Sequence, residues 1–333
     1  MNTKQEIIDA IEGTYDGELP PPVLFTQTGT LDQMKHCGAF WPDAHRDADK
    51  MVKLALQPSE RFGFATARVP YDVSAEAEAV GCFVTEGTDI NQPAVSGSPW
   101  REYMTVPPVS ELPSVDDFLS SQRIRTVIDS AKRLSDKGDL FVTSMCVSSS
   151  SIAMHMMGME NMIMCTVTDL DAVTGLVDFV TPYSVAYAEE LSKASDNVMV
   201  ITSALAGIMT PEFVKETLRR DGMIVGAIKD SYSTVHNCGD TFEYVDDLAA
   251  MKPDVLSLET SSDPERYLKK IGKRCKTLGC ISPVNVLLPG TPEQVKKEAL
   301  RSAELGFSLV GPECGVPPLT PDANLMAIAN YRS

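Results

Sequence analysis

What most constrains this chain is an alternation in which short apolar runs exchange with longer segments of helical period about eight times. The strand-like runs fall at 23–26, 68–72, 140–145, 198–202, 233–238, 254–259, 277–281 and 308–310. Helical periods lie at 3–14, 31–37, 43–61, 74–80, 114–135, 211–228, 244–251, 264–274 and 292–305. A long helical region runs to about 195, and a last helix opens at Thr320-Pro321, a capping residue followed by proline at the first helical position. Parallel strands need a crossover between them, and a helix supplies it, so the pattern predicts a parallel sheet. Eight units within 333 residues favour a (β/α)8 TIM barrel over an open doubly wound sheet. The expected organisation is one barrel domain over residues 1–333 with a helical N-terminal extension, and the polar, Pro- and Gly-containing stretch 85–113 is expected to be a surface excursion.

In such barrels the chemistry gathers at the carboxyl ends of the strands. At one such end, Thr234-Val-His-Asn-Cys-Gly-Asp-Thr241 places His236 and Cys238 two residues apart. A strand repeats every two residues, so both side chains leave the same face. Cys314 stands just past the last strand in a turn made rigid by Gly311, Pro312, Gly315 and Pro317, and Glu259 ends another strand. A lone His-x-Cys pair is a weak signal. Two thiolates, one imidazole and an exchangeable carboxylate at neighbouring strand ends describe an open catalytic zinc site, since structural zinc is normally closed by four durable ligands. Such a formally neutral set suits activation of a substrate thiol that displaces Glu259. Hydrolysis by metal-bound water is the rival chemistry, disfavoured because no clear general base stands beside the site.

Other features have plainer readings. Met154, Met156, Met157, Met159, Met162 and Met164 surround His155 and read as adaptable core or a docking surface. His36 and His45 read as solvated or locally paired, Ser148 to Ser151 as a helix start, and Cys275 and Cys280 as packing residues. Asp72, Glu76 and Glu78 read equally as a polar wall of the barrel mouth or a solvated helix start. The eight cysteines are scattered without a disulfide framework, so most are expected to be reduced. With 29 Lys and Arg against 46 Asp and Glu, the net charge of −17 argues against nucleic acid and anionic membrane as partners. An anionic substrate must therefore meet a local exception to the field. The start lacks a secretory pattern, and no run reaches the roughly eighteen apolar residues of a membrane span, which predicts a cytoplasmic protein.

Several motifs together resemble the uroporphyrinogen decarboxylase superfamily and, within it, the methylcobamide:coenzyme M methyltransferases of methanogenic archaea. They are Trp41-Pro-Asp-Ala-His45, Phe62-Gly-Phe64, Val69-Pro-Tyr-Asp72, Glu76-Ala-Glu-Ala-Val-Gly-Cys82, His236-Asn-Cys-Gly-Asp-Thr241, Pro283-Val-Asn285, Gly290-Thr-Pro-Glu293, Cys314-Gly315 and Thr320-Pro321. The resemblance implies zinc on His236, Cys238 and Cys314, with Glu259 as the acidic ligand. It also implies coenzyme M as acceptor and a methylated corrinoid, on a separate corrinoid protein, as donor in methylotrophic methanogenesis. A decarboxylase acting on a polycarboxylate is disfavoured, because Phe25-Thr-Gln-Thr-Gly29 lacks the cations that such a substrate needs. Where those methyltransferases often carry an Asp-Pro-like element, this chain has Thr202-Ser-Ala-Leu205. The alternatives are another acceptor, a thiol such as homocysteine or a folate, and a non-catalytic zinc barrel that binds a corrinoid protein. For an acceptor ending in sulfonate, the amino end of the helix at Thr320 offers amides near Cys314.

Overall fold

The computed structural model describes residues 2–101, 107–202 and 208–333, so Ser203, Ala204 and Leu205, along with part of the 85–113 stretch, lie outside the described residues. Among the described residues nine strands appear in chain order: β1 (Thr66–Val69), β2 (Phe83–Val84), β3 (Val95–Gly97), β4 (Phe141–Val147), β5 (Asn197–Ile201), β6 (Tyr232–Asn237), β7 (Val255–Leu258), β8 (Lys276–Ile281) and β9 (Leu309–Pro312). Seven pair in parallel in the order β1-β4-β5-β6-β7-β8-β9, while β2 and β3 form a small antiparallel ribbon in and beside the 85–113 excursion.

The eighth member is the run expected at 23–26, and it closes the cylinder without forming a regular strand. The Val23 amide donates to the Val310 carbonyl at 2.9 Å and the Val310 amide to the Pro21 carbonyl at 3.2 Å. On the other side, the Leu24 amide donates to Thr66 Oγ1 at 3.3 Å. Three successive prolines, Pro20 to Pro22, remove the donors that a longer ladder would need. Gly311 permits the approach at this seam, since a Cβ there would lie 2.4 Å from the Val23 carbonyl oxygen. The architecture is therefore a (β/α)8 TIM barrel.

The lumen is filled at its amino end by Val23, Phe25, Phe141, Met145, Met199, Val255, Leu278 and Leu309. The first helix, Lys4–Glu12, caps that end by burying Ile7, Ala10 and Ile11 in the same cluster. Spacings of three and four put these side chains on one helix face, and each fully buried isoleucine contributes about 1.5–3 kcal/mol. Only the carboxyl end of the barrel is left open for chemistry. Among the described residues no helix is long and apolar enough to cross a membrane.

Several expected helices are divided. The segment 43–61 is a 3-10 turn, Asp43–His45, followed by helices Ala48–Ala55 and Gln57–Phe62, because Pro58 fits only a first turn. The segment 114–135 breaks at Ser121, and the long helical region breaks at Gly158, whose φ is +81°, and at Asp169. The last helix is Asp322–Ala329 with Pro321 at its cap position, so Thr320 does not cap it.

Asp72 and Glu76 are buried rather than solvated. Asp72 lies 2.6 Å from His45 Nδ1 and is also paired with Arg123, which reaches Glu78 at 3.1 Å; Arg46 holds Glu78 from its other side at 2.8 Å. The buried His45 is thus locally paired, whereas His36 is exposed. The network ties the segment after β1 to the helix Gln122–Ser135, so Asp72 and Glu76 do not form a solvated helix start.

Glu76 accepts from the Val147 amide at 2.8 Å through one oxygen, and its other oxygen has no hydrogen-bond partner among the described residues. Burial pushes its carboxyl from an ordinary 4.5 up to about 7, despite the lowering effect of that amide. The folded protein holds this proton more tightly than the unfolded chain. Glu76 therefore imposes no penalty below about pH 4.5 and destabilises progressively as pH rises through about 7, by on the order of 3 kcal/mol. Urea unfolding at pH 5 and pH 8 should show this loss in the native sequence and a flatter dependence in Glu76→Gln; an unchanged slope would contradict the assignment.

Candidate metal centre

At the open end, β6 and β7 set His236 opposite Ser257, and the ring Nδ1 lies 3.0 Å from Ser257 Oγ. That contact fixes the imidazole and leaves Nε2 pointing to Cys238 Sγ at 3.2 Å. The end of β6 is held firmly. The Thr202 amide donates to the His236 carbonyl at 2.9 Å, and the Asn237 side-chain amide donates to Thr202 Oγ1 at 2.6 Å. Just beyond, Tyr267 donates to Asp240 at 2.8 Å and accepts from the Thr241 amide at 3.1 Å, securing the turn that carries Cys238.

Cys314 arrives from the other side, and its Sγ lies 3.4 Å from Cys238 Sγ. One ligand atom from each of His236, Cys238 and Cys314 falls within 4.8 Å of the others, with His236 buried, Cys314 half-buried and Cys238 exposed. An imidazole nitrogen and two sulfurs converging from strand ends form a donor set suited to zinc, with access left on the solvent side. The hydrogen bond from Cys314 pulls the Cys238 thiol down against burial and the nearby Glu259. The same contact with Cys238 pushes the Cys314 thiol up, and burial adds to it. A cation bound between them would lower both thiols.

Glu259, half-buried after β7, stands beside Cys238 but outside the converging trio. Its loop is clamped by Glu313, a residue that motif reading passed over although it directly precedes Cys314. The buried Glu313 carboxylate accepts from the amides of Thr260 and Ser261, both at 2.8 Å, and from Ser261 Oγ at 2.6 Å. Burial raises the Glu313 pKa, while these donors oppose the rise. Ser257 was also missed, although it precedes Glu259 by one strand period on the same face.

Two clefts open beside the trio. One of about 740 Å³ is lined by Thr28, Trp41, Gly315, Val316 and the 85–94 loop. Another of about 290 Å³ is lined by Gly239, Asp240, Glu259, Ser261 and Glu313. The remaining sequence candidates lie elsewhere. Met156, Met157 and Met162 are core residues, whereas Met159 and Met164 are exposed. Burial and Arg101 push His155 down to about 4. Ser148 caps the helix Ser149–Met157, Cys280 is buried, and Cys275 is half-buried against the outer core.

The family model for uroporphyrinogen decarboxylase (URO-D) matches residues 2–333. Methylcobamide:CoM methyltransferase MtbA of Methanosarcina mazei is 32% identical over 324 residues, covering 94% of this chain and 93% of that protein. Methylcobamide:CoM methyltransferase MtaA of Methanosarcina barkeri is 28% identical over 334 residues, covering 99% and 97%. The solved structure of a methyltransferase from Methanosarcina mazei superposes with a TM-score of 0.89 at 27% identity, covering 100% of this chain and 98% of that one.

The Glu313 clamp is open to direct measurement. Glu313→Ala removes the acceptor oxygen shared by the Thr260 and Ser261 N–H groups, losing bonds of about 1–3 kcal/mol each. Hydrogen exchange at those two amides should accelerate by about tenfold or more, while amides in β4 and β5 keep their protection. Unchanged exchange at Thr260 and Ser261 would show that the clamp is not needed.

Proposed function

Because the chain belongs to the uroporphyrinogen decarboxylase (URO-D) family and is a methyltransferase, we propose that it transfers a methyl group from a methylated corrinoid to the thiol of coenzyme M. The corrinoid is carried on a separate protein that meets the open end of the barrel. His236, Cys238 and Cys314 hold zinc, and Glu259 is the exchangeable fourth group. The observation that carries this reading is the convergence of one imidazole and two thiols within 4.8 Å, in a chain similar end to end to methylcobamide:CoM methyltransferases.

Zinc supplies positive charge that lowers the pKa of the acceptor thiol and holds its sulfur at the mouth. The protein's own groups do the rest. Two thiolates and a neutral imidazole balance the charge of the ion, so the acceptor sulfur retains electron density for attack. Ser257 keeps the imidazole in one orientation through Nδ1. Glu259, beside Cys238, would be the group the acceptor replaces and would take up the thiol proton, while Glu313 holds the Glu259 loop through its two backbone amides. In the transfer itself, a sulfur–carbon bond forms as the cobalt–carbon bond breaks. The electron pair of the broken bond stays on cobalt.

Substitution separates the roles. Cys238→Ala and Cys314→Ala should lose zinc and methyl transfer together, whereas Glu259→Gln should retain zinc and lose rate. Adding coenzyme M to the zinc-loaded protein should release a proton and bring one further sulfur into the zinc-edge X-ray absorption. Unchanged coordination on addition of the thiol would overturn the catalytic reading and favour a structural metal.

A further inference from the structure

With a net charge of −17, the protein repels an anionic acceptor unless a cation stands at the site. Three arginines are buried among the described residues: Arg68, Arg123 and Arg220. Arg123 is paired with Asp72 and Glu78, and Arg220 with Asp178 and Glu216. Arg68, 5% exposed, has no carboxylate within ion-pair distance among the described residues. Its Nη1 donates to the Gln27 carbonyl at 2.5 Å, its Nη2 faces Met145 Sδ at 2.7 Å, and its buried Nε has no hydrogen-bond partner among the described residues. A desolvated guanidinium held only by neutral acceptors is costly in an isolated protein and ready for an anion.

Its position matches that need. Met145 belongs to the lumen cluster, so the guanidinium points into the barrel and away from the outer helices. Gln27 lies in the segment stitched to the turn after Cys314: the Val316 amide donates to the Thr26 carbonyl at 3.1 Å, and Thr28 Oγ1 donates to the Val316 carbonyl. Gly315 packs toward Thr28, and both line the larger cleft at the mouth. Burial lowers the Arg68 pKa only to about 10, with Asp72, Tyr71 and Cys314 opposing the fall, so the side chain is charged at neutral pH. At the Thr320–Pro321 end the Thr320 amide donates to the Pro317 carbonyl at 3.0 Å and the helix begins only at Asp322.

We propose that Arg68 is the binding residue for the acidic tail of the acceptor thiol, holding its oxyanion in the lumen while His236, Cys238 and Cys314 position its sulfur. This rests on the transfer reading above. The planar fork of arginine presents several N–H donors at once, which suits a sulfonate better than a single ammonium does. The assignment makes Arg68 a determinant of acceptor choice rather than of metal binding.

Two measurements test it, using full-length zinc-loaded protein, the native sequence and Arg68→Met and Arg68→Lys variants. With free methylcobalamin as donor, the ratio of kcat/KM for 2-mercaptoethanesulfonate to that for 2-mercaptoethanol should fall by about tenfold or more in Arg68→Met, with partial recovery in Arg68→Lys. Zinc content should stay unchanged. Calorimetric titration with ethanesulfonate, which has the tail but no thiol, should show binding to the native protein and none to Arg68→Met. An unchanged acceptor ratio, or ethanesulfonate binding that survives Arg68→Met, overturns the assignment. If no thiol is methylated by the native protein, the transfer reading fails on its own, while the ethanesulfonate titration still decides Arg68.

Discussion

The closure of the barrel between its last and first strands is the contact on which the rest of the site depends. Hydrogen bonds between the Pro21–Val23 segment and Val310 fix the lateral position of β9, and β9 determines where Cys314 enters. The same closure carries Thr26 to Thr28 alongside Val316, and so places the Gln27 carbonyl against Arg68. Gly311 makes this possible by having no side chain, because the neighbouring carbonyl occupies the space a Cβ would need. One seam thus sets the position of a candidate metal ligand and of the only buried arginine without an acidic partner among the described residues.

The opposite wall works through a second cross-link. Glu313 precedes Cys314 in the chain, yet its carboxylate is spent on the loop after β7, where Glu259 stands. The loop from one strand and the thiol from another are therefore held by adjacent residues of one turn, so neither shifts without the other. Together with the contact between His236 and Ser257, this gives the mouth a rigid frame in which Glu259 is the member left outside the converging set. Fixed groups at the mouth suit a reaction in which a sulfur must meet a carbon along one line, because misalignment by an ångström is costly in rate.

The parts visible in the sequence are those encoded locally. The eight alternations reveal the barrel because strand and helix periods differ, and His236 with Cys238 shows a shared face because two residues complete a strand repeat. Cys314 can be singled out because glycines and prolines surround it in a turn. Arg68, Ser257 and Glu313 escape notice for the opposite reason: each acts on a partner far along the chain, and nothing in its immediate neighbours marks that partner. Arg68 reads as an ordinary strand residue until the lumen shows that no carboxylate among the described residues is paired with it. The pairing of Asp72 with Arg123 likewise escapes a reading of the sequence, since it is a product of helix packing. The breaks at Ser121 and Gly158 were hidden by a helical period that persists across them.

The seam also has a temporal side. The Thr26 hydroxyl and the Pro312 carbonyl that meet across it are separated by 286 positions, and Thr28 and Val316 by 288. Contacts so remote in sequence carry a large loop-closure cost and form slowly compared with the neighbouring strand pairs. His236 and Cys238 can settle into place with the strands on either side of them, whereas Cys314 cannot take its position until the cylinder shuts. A growing chain therefore presents two of the three donors long before the third. Completion of the fold and assembly of the candidate three-donor set are one event.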